Sequence, residues 1–274
     1  MSCSFLIFTA VGPVRAISVA TVGDSFADSL YNALRARPDL LQRYGVHLAR
    51  WSRPIVGLAR TDYFDYVASL RESATLPVDV CLVQIGSNDM QSIPSPQKQW
   101  IAYGSSPWRE AYRDRTRELV KLLLDRRCGQ LIWVLQPAFE KRSALACHRE
   151  LIDEIQREAV GRDRTRILEL STSEADYGPD QTHFNRAYLL QLGPALFQAV
   201  DTSRQLVHMG CLACHRNLET LTMPPALLPL RTWRRELSAD VWAPQRVGAQ
   251  CRTPVVRRVV ARVARRAAHS RAVR

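Results

Sequence analysis

The sequence predicts an α/β protein of three layers, α/β/α, built on a five-stranded parallel sheet. Three observations carry this. Five short runs rich in Val, Ile and Leu recur between residues 16 and 170. Stretches with helical spacing separate them. The third run, "VDVCLVQIG", is apolar enough to be buried on both faces.

The first run, "AISVATVG" (16–23), leads into "DSFADSLYNALRAR", where Phe26, Leu30 and Leu34 fall on one helical face. "GVHLARW" is the second strand, followed by a polar loop through Gly57 and a helix over 61–70. "VDVCLVQIG" is the third strand and reads as buried on both faces. A long loop over 88–108 precedes an amphipathic helix over 109–125. "QLIWVLQ" and "TRILEL" are the fourth and fifth strands, separated by a helix over 141–159, and a helix over 186–200 closes the domain. Parallel strands need crossover connections, and the helices supply them.

The net charge of +12 resembles a nucleic-acid signal until it is mapped along the chain. Residues 1–200 carry 24 Lys and Arg against 22 Asp and Glu. Residues 201–274 carry 14 Arg, no Lys and 4 acids. The basic character therefore belongs to the last part of the chain, and no specific nucleic-acid partner is expected for the rest. The composition break divides the chain into an N-terminal segment (1–14), a folded domain (15–200) and an Arg-rich extension (201–274). The N-terminal segment has a short apolar run without a preceding cation, so it reads as a degenerate or truncated signal. Seven scattered cysteines do not resemble a disulfide framework, and Cys81, inside the third strand, reads as a buried free thiol.

Four blocks follow strands or precede the last helix: Gly23-Asp24-Ser25, Gly57, Gly86-Ser87-Asn88-Asp89, and Asp180-Gln181-Thr182-His183. In open parallel sheets these positions border the ligand crevice. Taken singly, each has an ordinary reading. Asp24 or Ser25 could cap the following helix, Asn88-Asp89 could be turn chemistry, and His183 could bond backbone. Together, in this order, they match the needs of acyl transfer. A serine hydroxyl requires a base, which His183 supplies. The imidazole requires a partner to hold its tautomer, which Asp180 supplies. The oxyanion requires fixed donors, available from the Ser25 and Gly57 backbone N–H groups and the Asn88 amide.

The ordered blocks resemble the signature of the SGNH (GDSL-type) hydrolases. "GLARTDYFDY", "IGSNDMQSI" and "YGSSPWREAYRDR" are similar to a bacterial branch of that superfamily whose members are mostly exported. The resemblance spans about residues 15–200 and implies a flavodoxin-like sheet. It implies Ser25 as nucleophile, His183 as base, Asp180 as its partner, and Ser25, Gly57 and Asn88 as the oxyanion hole. A serine esterase follows, acting on an ester such as an O-acetyl group of a carbohydrate or cell-wall polymer, in the periplasm or cell envelope. The alternatives are an O-acyltransferase using the same residues, an inactive SGNH-fold binding module, and a cytoplasmic location. Phe26 stands where the family usually has leucine. Asp62 and Asp65 lie one turn apart and read as a solvated face. Arg60, near Gly57, could bind an anionic substrate group but reads better as a surface residue, and Trp108 as pocket lining or packing alike.

No metal or cofactor is required by this chemistry. Cys211-Leu-Ala-Cys214-His215 matches the spacing of covalent haem attachment, but no small helical domain surrounds it, and Cys251 is too distant to complete a zinc site. The terminal "PVVRRVVARVARRAAHSRAVR" fits a basic amphipathic helix suited to anionic surfaces. Its arginine-only, Ala/Val/Pro-rich composition fits a disordered extension better.

Overall fold

The computed structural model describes residues 16–97, 99–137, 148–161, 163–180, 182–208 and 221–222. The N-terminal segment, the start of the helix expected at 141, the Cys211–His215 motif and the basic terminal stretch lie outside them.

Strands β1 (Ile17–Gly23), β2 (Val46–Ser52), β3 (Val78–Gln84), β6 (Cys128–Val134) and β7 (Thr165–Glu169) form the expected five-stranded parallel sheet. The spatial order is β2-β1-β3-β6-β7, the flavodoxin-like order, and a two-residue strand β8 (Leu221–Thr222) adds to β7. Helices α1 (Ser25–Arg35) and α6 (Arg186–His208) cover one face. Helices α3 (Tyr66–Glu72), α4 (Ser106–Arg126) and α5 (Arg149–Val160) cover the other.

The period of two explains the continuous apolar runs. On β3, Val80 and Leu82 enter the α1/α6 core while Cys81 and Val83 enter the opposite one. On β6, Ile132 and Val134 divide from Leu131 and Trp133 in the same way. All eight are essentially buried.

Several helix boundaries differ from the sequence reading; the helix expected over 141–159 starts at Arg149 after the described N-cap His148, and two others differ because a side chain caps them. The helix expected from residue 61 begins at Tyr66, because the Asp65 side chain caps it by accepting from the Ala68 N–H at 2.9 Å. The helix expected from residue 109 begins at Ser106, capped by Ser105 with Pro107 in its first turn. The closing helix runs past residue 200 to His208. A short helix, a hairpin and β8 were not anticipated. Helix α2 (Pro38–Tyr44) starts on a proline and ends on the left-handed Gly45. A two-residue hairpin, β4 (Ile93–Pro94) and β5 (Trp100–Ile101), folds the long loop back on itself.

Cys81 is not a free thiol: it forms a disulfide with Cys128. The pair is 47 residues apart in sequence, and only the pairing of β3 with β6 brings them together. An odd, scattered cysteine count carries no sign of such a pair.

Closing a loop of that length stabilises a fold by about 4 kcal/mol in the chain-entropy description. Urea unfolding of Cys81→Ala/Cys128→Ala should therefore show a loss of about 2–4 kcal/mol. Mass spectrometry of unreduced protein should recover the two peptides joined. Equal stability of the double variant and wild type would refute this account.

Candidate active site

β1 ends at Gly23, whose φ of +134° and contact with β3 admit only glycine: a Cβ there would lie 1.8 Å from the Gln84 carbonyl oxygen. The chain then turns into α1 at Asp24. The sequence left open which residue of Gly-Asp-Ser caps the helix; it is Asp24. Its Oδ1 accepts from the Phe26 N–H at 2.9 Å. That frees Ser25, the first helical residue, to direct its hydroxyl outward.

Asp24 does more than cap. Its Oδ2 accepts from the Gly86 N–H (3.0 Å), the Ser87 N–H (3.0 Å) and the Ser87 hydroxyl (2.7 Å), so one buried carboxylate binds the loop after β3 to the start of α1. Burial pushes its pKa up to about 6, against the lowering effect of these donors.

Three residues come together at the mouth of α1. His183 Nε2 lies 3.0 Å from Ser25 Oγ, and His183 Nδ1 lies 2.7 Å from Asp180 Oδ2. An ionised carboxylate can only accept, so Nδ1 carries the proton and Nε2 presents its lone pair to the serine. Asp180 also shapes its own loop: Oδ1 accepts from the Thr182 and His183 N–H groups, each at 3.0 Å. A short antiparallel closure, with the Gly178 N–H donating to the His183 carbonyl at 2.7 Å, holds the loop at its base. Partial burial raises the Asp180 pKa, but the His183 ring and the two backbone donors outweigh it and hold the carboxyl below its usual range. The imidazole stacks on Phe26 at 5.6 Å, so the departure from leucine places an aromatic ring against the histidine.

Gly57 and Asn88 lie on loops joined to each other. The Asn88 amide donates to the Val56 carbonyl at 2.9 Å, which occupies one of its two hydrogens. Gly57 lacks a side chain because Asp89 stands in its place: a Cβ would lie 2.0 Å from Asp89 Oδ1. The fully buried Asp89 accepts from the Leu58 and Ala59 N–H groups and, at 2.9 Å, from Tyr112. Burial raises its pKa. From the other side, Arg115 donates to the Leu58 and Ala59 carbonyls at 2.9 and 2.8 Å. The peptide groups beside Gly57 are thus held on both edges. Among the described residues the Gly57 and Ser25 backbone N–H groups have no hydrogen-bond partner.

The remaining candidates divide cleanly. Trp108 is buried packing, its indole N–H donating to the Gln91 carbonyl. Asp65 is a helix cap, and Asp62 pairs with Arg60 at 2.7 Å. Asp89, next to Asn88, reads from sequence as shaping the loop that holds Asn88, and the structure bears this out; Tyr112 and Arg115 have no such reading. Their signal was present: residues 108, 112 and 115 recur on one helical face. Among the described residues no group of three His, Cys, Asp or Glu could hold a metal ion.

A flavodoxin-like sheet with the Gly-Asp-Ser, Gly, Gly-x-Asn-Asp and Asp-x-x-His blocks at the carboxyl ends of its strands defines an SGNH-type protein. The chain belongs to the family described as "Protein of unknown function (DUF459)", which matches residues 18–185. Among solved structures it is similar to LAE5, an alpha/beta hydrolase enzyme from the metagenome of Lake Arreo, Spain, at 14% identity, covering 72% of this chain and 96% of that one with a TM-score of 0.46. It is also similar to a carbohydrate esterase family 2 enzyme of Corynascus thermopiles (Myceliophthora fergusii), at 14% identity, 70% and 68% coverage and a TM-score of 0.48. A variant of Axe2, an acetyl xylan esterase from Geobacillus stearothermophilus, matches at 12% identity, 66% and 93% coverage and a TM-score of 0.43. No curated protein matches the chain.

Asp24→Ala strands the Phe26, Gly86 and Ser87 donors, and should cost about 3 kcal/mol or more in urea unfolding. The pH dependence has a definite sign. A carboxyl whose folded pKa lies near 6 instead of 3.8 holds its proton more tightly when folded. Its contribution to stability is complete below 3.8 and is lost as the pH rises through about 6. The gain in stability between pH 7.5 and pH 5 should therefore be smaller in Asp24→Ala than in wild type; an equal gain contradicts the assignment.

Proposed function

We propose that the protein is a serine esterase that works through a Ser25 acyl-enzyme. The observation that carries this reading is the continuous line of hydrogen bonds Ser25 Oγ–His183 Nε2 and His183 Nδ1–Asp180 Oδ2, at 3.0 and 2.7 Å. In the first half-reaction His183 takes the Ser25 proton as Oγ attacks the ester carbonyl, and Asp180 stabilises the resulting imidazolium. The negative oxygen of the tetrahedral adduct is met by the Ser25 and Gly57 N–H groups and the second hydrogen of the Asn88 amide. His183 returns its proton to the departing alkoxide. In the second half-reaction water loses a proton to His183 and attacks the acyl-serine, releasing the acid and restoring Ser25.

Openness favours hydrolysis over transfer to a second alcohol. The side chains of His183 and Asp180 are 47% and 54% exposed, so bulk water reaches the base directly. The disulfide supports an oxidising compartment, in keeping with an exported protein of the periplasm or cell envelope.

With 4-nitrophenyl acetate as substrate, Ser25→Ala should lower kcat/KM by about a thousandfold or more, and His183→Ala comparably. Asn88→Ala should lower kcat by about a hundredfold with little change in KM, since an oxyanion donor acts in the transition state. Wild-type protein should be labelled by a fluorophosphonate at Ser25. Retention of full esterase activity in Ser25→Ala would exclude the mechanism, and absence of both labelling and turnover in folded wild type would favour a binding module.

A further inference from the structure

The described residues expose five large apolar side chains strongly, and three of these, Ile55, Tyr63 and Trp100, lie on the two loops that carry Gly57 and Asn88. Trp100 is 57% exposed on the β4–β5 hairpin. It is not a loose surface ring. The Arg60 guanidinium lies over it, 5.0 Å from the ring centroid, a cation–π arrangement that fixes both groups. Arg60 is held in turn by two bonds to Asp62, each 2.7 Å, and by one to Gln91 Oε1 at 3.2 Å. The Gln91 amide donates to the Asn88 carbonyl at 2.5 Å. A chain of contacts therefore runs from the exposed indole to Asn88, a member of the proposed oxyanion hole.

The chemistry of this surface narrows what it can hold. The charge of Arg60 is offset by Asp62, so a polyanion or an anionic lipid finds no net attraction there. An open platform with a single large ring offers no enclosed apolar groove for an acyl chain. What it presents is a flat, largely exposed indole with the guanidinium over one face and donors of unused capacity beside it. Three bonds leave two of the five guanidinium N–H donors free. That combination suits a neutral pyranose ring, which has an apolar face of axial C–H bonds and a rim of hydroxyls.

We propose that Trp100, with Arg60 and Asp62, forms a subsite for the neutral sugar that carries the ester, stacking a pyranose ring so that its acyl group reaches Ser25. The proposal rests on the esterase reading for the last clause only; sugar binding itself does not depend on turnover.

The test separates the two. Binding of cellohexaose, mannohexaose and chitohexaose to Ser25→Ala protein would be measured by calorimetry and by indole fluorescence. At least one should bind, and Trp100→Ala in the same background should weaken it by about tenfold or more, with Trp100→Phe restoring most of the affinity. Arg60→Met, which removes the donors and keeps the stem, should weaken it as well. In Ser25-containing protein, the ratio of kcat/KM for the O-acetylated form of the bound hexasaccharide to that for 4-nitrophenyl acetate should fall by a similar factor in Trp100→Ala. Binding of none of the three sugars, or equal affinity with and without the indole, overturns the subsite. Sugar binding that depends on Trp100 in a protein that hydrolyses no ester leaves the subsite standing and removes the esterase reading.

Discussion

One buried carboxylate organises the carboxyl end of this sheet. Asp24 receives four hydrogen bonds, one from the first turn of α1 and three from the Gly86–Ser87 segment after β3. β1 and β3 are adjacent in the sheet, but adjacency alone leaves the loops beyond their ends free to splay. The Asp24 bonds remove that freedom at the point where the strand order reverses and the crevice opens. Capping the helix with Asp24 rather than Ser25 also settles a competition between neighbours. The aspartate takes the structural bonds inward, and the serine hydroxyl is left for His183.

A second carboxylate repeats the device one residue from Asn88. Asp89 accepts from the N–H groups of the segment after Gly57 while Arg115 donates to its carbonyls, so the two charged groups grip opposite edges of the same peptides. Neither charge is in bulk water, and each is satisfied by several bonds, the condition under which buried charge is tolerated. The absence of a side chain at Gly57 follows from the presence of one at Asp89. The loop after Gly57 is thus held from beneath, while His183 and Asp180 remain open to solvent.

Local signals made much of this legible. Strand runs alternating with helical stretches pointed to the parallel sheet, and the order of the four blocks singled out Ser25, Asp180 and His183 together. Helix boundaries were less legible, because Asp65 and Ser105 are as common in turns as in caps. The role of Trp108 stayed open because helical spacing cannot separate packing from pocket lining; the fold resolved it as packing. The hairpin bearing Trp100 left no periodic trace, since two-residue strands are too short to show one.

The sequence by itself determined the class of fold and which residues stand at the candidate site, because both are written in residue types at fixed local spacing: apolar strands, a Gly-Asp-Ser turn, an Asp-x-x-His turn. Only the tertiary structure decided which groups meet. It joined Cys81 to Cys128, put Asp89 against Gly57, laid Phe26 beneath His183 and linked Trp100 through Arg60 and Gln91 to Asn88. Most of these contacts span tens of residues or more, even where side chains one or two positions apart serve different partners. The physical reason is that such proximity arises from strand order and loop packing, which no local pattern of residues encodes.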